Sequence, residues 1–155
     1  MSRDLLRHTV ATLAYRAAKA VRGAPPEFAG YRTDPSGRTP AQILAHMGDL
    51  FDWALSILQG KQRWHDSEPL PWDLEVARFF ASLQAFDAQL ASEAPAEGLS
   101  EKLFQAPIAD AINHVGQIAM LRRMAGSPIV GENYFVAEIA VGHVGLEQAA
   151  PRQAF

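Results

Sequence analysis

Two of the five histidines lie on helical apolar faces, where an imidazole needs a reason to be. His46 stands three residues after Ile43 and four before Leu50; His114 stands three after Ala111 and four before Ile118. Helical spacing turns both rings toward the interior or its mouth. A buried imidazole needs partners for both ring nitrogens, and two such rings on different inward faces can meet at one metal ion. Two independently hydrogen-bonded core histidines would satisfy the same pattern. Asp110, four residues before His114, projects from the same helix face as a second ligand would. His46, Asp110 and His114 would then form a two-histidine, one-carboxylate set with open positions, suited to zinc or nickel and also to manganese or iron. A carboxylate just after Pro107 would equally favour the dipole of a helix beginning there.

Other residues could assist or stand apart. Asp49, three residues after His46, could orient it or face solvent. Gln117 is a candidate pocket residue. Arg122 and Arg123 could pair with an acidic ligand or serve the negative end of their helix. His143, between glycines in the tail, could reach a bundle end, whereas His8 and His65 read as exposed or peripheral. Trp53, Trp64, Trp72 and the phenylalanines read as core or interface. No general base stands out beside the proposed ligands.

Composition limits the chemistry. The 155 residues contain no cysteine, which excludes disulfides, thiolate zinc sites, iron–sulfur clusters and a cysteine nucleophile. Any thiol chemistry must use a thiol from outside the chain. Residues 1–40 carry seven basic and three acidic groups (+4), and residues 41–155 carry seven and fourteen (−7), giving a net charge of −3. That balance lacks the basic footprint of a nucleic-acid binder. A basic start can mark a transit peptide, but Asp4 and a helical apolar stripe favour a first bundle helix. No apolar run approaches the roughly 18–20 residues that span a bilayer. A cytoplasmic protein with no membrane partner is expected.

The elements that must position these residues follow from periodicity and punctuation. Leu6, Val10, Leu13, Ala17 and Ala20 mark a first helix from about Ser2 to Arg22, with Ser2 as its cap. From Gly23 to Pro40 seven of eighteen residues are Gly or Pro, which predicts a long structured loop across one bundle end. Thr39 caps a second helix with Pro40 at its first position, ended by Gly60. Lys61 to Trp72 is a connection. A third helix runs from about Asp73, as cap, to about Glu93. Leu99 to Ala106 is ambiguous, and Pro107 opens a fourth helix ended by Gly126 and Pro128. A short helix over Phe135–Ala140 is possible within an irregular C-terminal tail. Residues 1–155 therefore read as one all-α domain, a four-helix bundle whose up-and-down order is open.

The segment Asn113-His114-Val115-Gly116-Gln117-Ile118, continuing through Leu121-Arg122-Arg123 to Gly126 and Pro128, resembles the last bundle helix of the DinB/YfiT-like superfamily. There a metal-binding histidine precedes a Gly-Gln pair, and an Arg and a Gly follow. Thr39-Pro40 through Leu44-Ala45-His46 to Trp53 is similar to that family's second helix, whose histidine supplies another ligand. The resemblance implies a metal-binding four-helix bundle of the DinB/YfiT type, often homodimeric. The superfamily that these segments resemble includes thiol-dependent transferases and isomerases that use low-molecular-weight thiols. The expectation for this chain is a metal-dependent transferase or hydrolase-like enzyme whose ion activates an external thiol or water toward a small electrophilic substrate. The rival expectation is a non-catalytic metal- or ligand-binding dimeric bundle of the stress-associated type, in which the same residues serve stability. The usual third ligand is a histidine four residues before the one matching His114; here that position is Asp110.

Overall fold

The computed structural model describes residues 1–155. Helix α1 spans Arg3–Val21, α2 spans Pro40–Leu58 and α3 spans Trp72–Ser92. Helix α4 runs as α-helix over Leu99–Leu103, as one π-helical turn over Phe104–Ile108, and as α-helix over Ala109–Met124. The Ser2 hydroxyl accepts from Leu5 N–H, and Thr39 and Gln42 form a reciprocal capping box, so both helix starts lie where the cap residues place them.

Ion pairs and hydrogen bonds between helices give the helix directions. Arg7 near the start of α1 makes a two-point bond to Asp87 near the end of α3 (2.9 and 2.8 Å), so these helices are antiparallel. Met1 meets Glu101, and Arg122 reaches the carbonyl of Ala20, so α1 and α4 are parallel. Arg78 meets Asp49 while Ser82 meets Asp52, so α3 runs parallel to α2. The order is up, down, down, up. Helices α1 and α2 occupy one diagonal, each packing against α3 and α4. The Gly- and Pro-rich loop, which carries a 3-10 turn over Pro26–Gly30, must therefore cross the bundle end.

Parallel α2 and α3 require a connection that returns the length of a helix, about 28 Å at 1.5 Å per residue. Residues 59–71 do this as an extended strap against α2. Arg63, His65 and Ser67, alternate residues of the strap, meet Ser56, Asp52 and Asp49, which are spaced by four and three on the helix. One hydrophobic core joins all four helices, with Phe51, Phe79 and Phe86 fully buried at its centre. Buried alanines at 11, 14, 17, 18 and 20 let neighbouring helices approach α1 closely. The tail lies against α1 through buried Glu132, which accepts from Tyr15 (2.9 Å) and Lys19. No helix is long and apolar enough to cross a membrane.

Three boundaries differ from expectation. Helix α3 is capped by Pro71, with Asp73 inside its first turn. Only a 3-10 turn at Tyr134–Val136 forms where a short helix over Phe135–Ala140 was possible. Most consequentially, α4 begins at Leu99 rather than at Pro107. A proline cannot donate to the helical ladder, but the π turn absorbs this: Ala109 N–H reaches Phe104 carbonyl, five residues back. Asp110 therefore lies well inside a continuous helix, and dipole stabilisation of a first turn does not explain it.

Candidate metal centre

His46 lies in the second turn of α2, and Asp110 and His114 lie one turn apart beyond the π turn of α4. Each extra residue in a helical turn rotates the remainder of the helix by about 100°. The π turn thus sets which face of α4 meets α2. Asp110 Oδ2 lies 3.3 Å from His46 Nε2 and 3.5 Å from His114 Nε2. The two imidazoles are nearly perpendicular (87°), with ring centroids 4.9 Å apart. One ligand atom from each residue lies within 4.8 Å of the other two. Ligand atoms about 2.0–2.2 Å from a tetrahedral zinc are about 3.3–3.6 Å apart, so both measured carboxylate–imidazole separations suit a shared ion.

Gln117 completes the arrangement. Its Oε1 lies 2.8 Å from His114 Nδ1, and an amide oxygen only accepts, so Nδ1 carries the proton and Nε2 keeps its electron pair toward Asp110. Trp64 of the strap stands against His46 at 5.7 Å between centroids, and its indole N–H donates to Asp66. It is thus a wall of the site rather than core.

Two cavities flank the ligands. On the His46 side a polar cavity of about 340 Å³ is bounded by the loop residues Arg32 and Arg38 and the strap residues Asp66 and Glu68. On the His114 side a cavity of about 490 Å³ is bounded by Ile43, Gln117, Met120 and Leu121. Gly37 and Arg38 border both.

The remaining candidates go elsewhere. Asp49 borders the polar cavity but is buried, accepting from Ser67 N–H (2.8 Å), Ser67 hydroxyl (2.7 Å) and Arg78, and it makes no hydrogen bond to His46. Arg122 is also buried and pairs with no carboxylate. It donates to the carbonyls of Ala20 (3.0 Å), Arg22 (2.8 Å) and Ser127 (2.8 Å), closing the ends of α1 and α4. Burial without a counter-charge lowers its pKa. His143 bonds the Glu147 carbonyl in the tail and borders a cavity with Arg7 and Asp87, apart from the centre. His8 is exposed.

His65 is not peripheral. Its Nδ1 lies 3.2 Å from Asp49 and its Nε2 lies 3.3 Å from Asp52, beside Arg78. This second His/Asp group is already bridged by the guanidinium, which also donates to Glu75 (2.8 Å) and Ala45 carbonyl (3.2 Å). Burial would lower the Arg78 pKa, but hydrogen bonds to Glu75 and Asp49 and their charges raise it overall. Gly48 makes room, since a Cβ there would lie 2.9 Å from the guanidinium. The group fastens the strap to α2 and α3. Asp49 and Asp52 on one helical face were its only signal in sequence, because the strap that brings His65 is long-range. Compared with known proteins, the chain matches no family model, no curated protein and no solved structure.

Proposed function

We propose that this chain is a divalent-metal-dependent bundle of the DinB/YfiT type, joining a low-molecular-weight thiol or water to a small electrophile. The convergence of His46, Asp110 and His114 beside two cavities carries this reading. The motif resemblance around His46 and His114-Val115-Gly116-Gln117 supports it, and Asp110 takes the usual third histidine's place. An ion bound there would lower the pKa of a thiol or water in its open position. Two neutral imidazoles and one carboxylate leave a divalent ion with a net charge of +1, which favours an anionic ligand. Zinc and nickel suit these nitrogen and oxygen donors first, then manganese and iron. Gln117 holds His114 in one tautomer, Trp64 shields one side of His46, and the cavities orient what binds. A homodimer follows from the same resemblance.

A non-catalytic metal- or ligand-binding bundle of the stress-associated type is the second reading. It is favoured by the pairs His46–Asp110 (3.3 Å) and His114–Gln117 (2.8 Å), which give each imidazole a side-chain partner without an ion. Zinc- and nickel-loaded protein assayed with a panel of small thiols and electrophiles separates the two. Conjugation that a chelator and His114→Ala both abolish supports the enzyme; metal binding with no metal-dependent turnover leaves the binder.

A further inference from the structure

The polar cavity beside His46 has walls of opposite charge. Arg32 and Arg38 come from the loop, whereas Asp66 and Glu68 come from the strap. Each wall is held by bonds of its own. Arg32 donates to Gly37 carbonyl (2.6 Å) and Asp34 accepts from Ser36 N–H (2.9 Å), which ties the loop into a turn. Ser67, between the two strap acids, is fixed to Asp49, and Asp66 accepts from the Trp64 indole. Arg38 and Glu68 then make no hydrogen bond or ion pair with any side chain of the protein, although both border one cavity. Opposite charges held apart across a cavity, each on an anchored wall, offer complementary partners to a molecule carrying both charges. The cavity's volume, about 340 Å³, is near the lower end of the roughly 300–1,000 Å³ of small-molecule sites.

We infer that this cavity binds a small zwitterion of amino-acid type, its carboxylate toward Arg38 and its ammonium toward Glu68, with its remaining end beside His46. This rests on the proposed metal centre only for what that end meets. The test uses four small probes: L-serine carries both charges, 3-hydroxypropionate the carboxylate, ethanolamine the ammonium, and ethylene glycol neither. Each is titrated into full-length metal-free and zinc-loaded protein, with amide chemical shifts as the readout. L-serine should bind tightest and ethylene glycol weakest, with up to about five-fold lost for each missing charge, as for ion pairs to exposed side chains. Arg38→Gln should reduce L-serine to the ethanolamine level, and Glu68→Gln should reduce it to the 3-hydroxypropionate level. Both substitutions are on exposed side chains. Equal affinity for the four probes, or variants that weaken all four alike, would overturn the inference. If zinc does not bind yet the charge order persists in metal-free protein, the metal reading fails and this inference stands; if zinc binds and the probes are not distinguished, this inference alone fails.

Discussion

Arg78→Met keeps most of the stem's volume and deletes a guanidinium shared by five acceptors: Glu75, Asp49, Asp52, the Ser67 hydroxyl and the Ala45 carbonyl. Glu75 and Asp49 have side chains only 0% and 3% exposed, so losing their counter-charge leaves two carboxylates away from water. Removing one partner of a buried ion pair costs about 3–5 kcal/mol, against about 0–1 for an exposed pair. Domains are stable by about 5–15 kcal/mol in total, so the variant should be close to marginal. At about 2–4 °C per kcal/mol for a chain of this size, Tm should fall by about 6–20 °C. Urea unfolding followed by far-ultraviolet circular dichroism measures the loss. Tryptophan fluorescence reports the strap, because Trp64 should become more solvated as its anchorage weakens. Adding Asp49→Asn and Glu75→Gln to Arg78→Met should restore much of the stability, since the stranded charges are then gone. A loss below about 1 kcal/mol for Arg78→Met would refute the claim that this group fastens the strap.

Other expectations rest on single contacts. Gly116→Ala should raise stability by about 0.5–1 kcal/mol, because the position is helical and a Cβ there meets nothing within 4 Å. Gly48→Ala should instead lower it, because its Cβ displaces Arg78 from buried Asp49; matched melting curves compare the two. Burial and the bond to Glu132 raise the Tyr15 pKa to about 12. Stability held by the neutral phenol is full below the unfolded-chain pKa near 10 and is lost as pH rises through about 12. Ultraviolet titration should show this late component, absent in Tyr15→Phe. Gln117→Ala should weaken zinc binding about 10–100-fold, measured by competition with a chromophoric chelator, while leaving the fold intact. Unchanged affinity would mean that Gln117 does not orient His114.

Local chemistry made much of this legible in the sequence. Ser2, Thr39 and Pro40 set the starts of α1 and α2 because caps act within one turn, and the apolar stripes identify an all-α bundle. His114 and Gln117 are three apart on one helix, so their pairing follows from spacing. Pro107 misled, because a proline ordinarily marks a helix start and the π turn that accommodates it has no comparable local signature. The directions of the helices were open because residues 59–71 are long enough either to loop loosely or to run back as a strap. For the same reason His65 looked peripheral: its partners Asp49 and Asp52 are tertiary neighbours. Arg122 carried the expected sign for a helix end, yet its acceptors include the carbonyls of another helix.

The metal content of the full-length protein tests the central claim most directly, in material purified without a polyhistidine tag or added metal and then titrated with zinc. About one equivalent, bound as isolated or taken up on titration, and lost in both His46→Ala and His114→Ala, is the expected result. Less than about 0.1 equivalent with no uptake, or uptake that both variants retain, would contradict it.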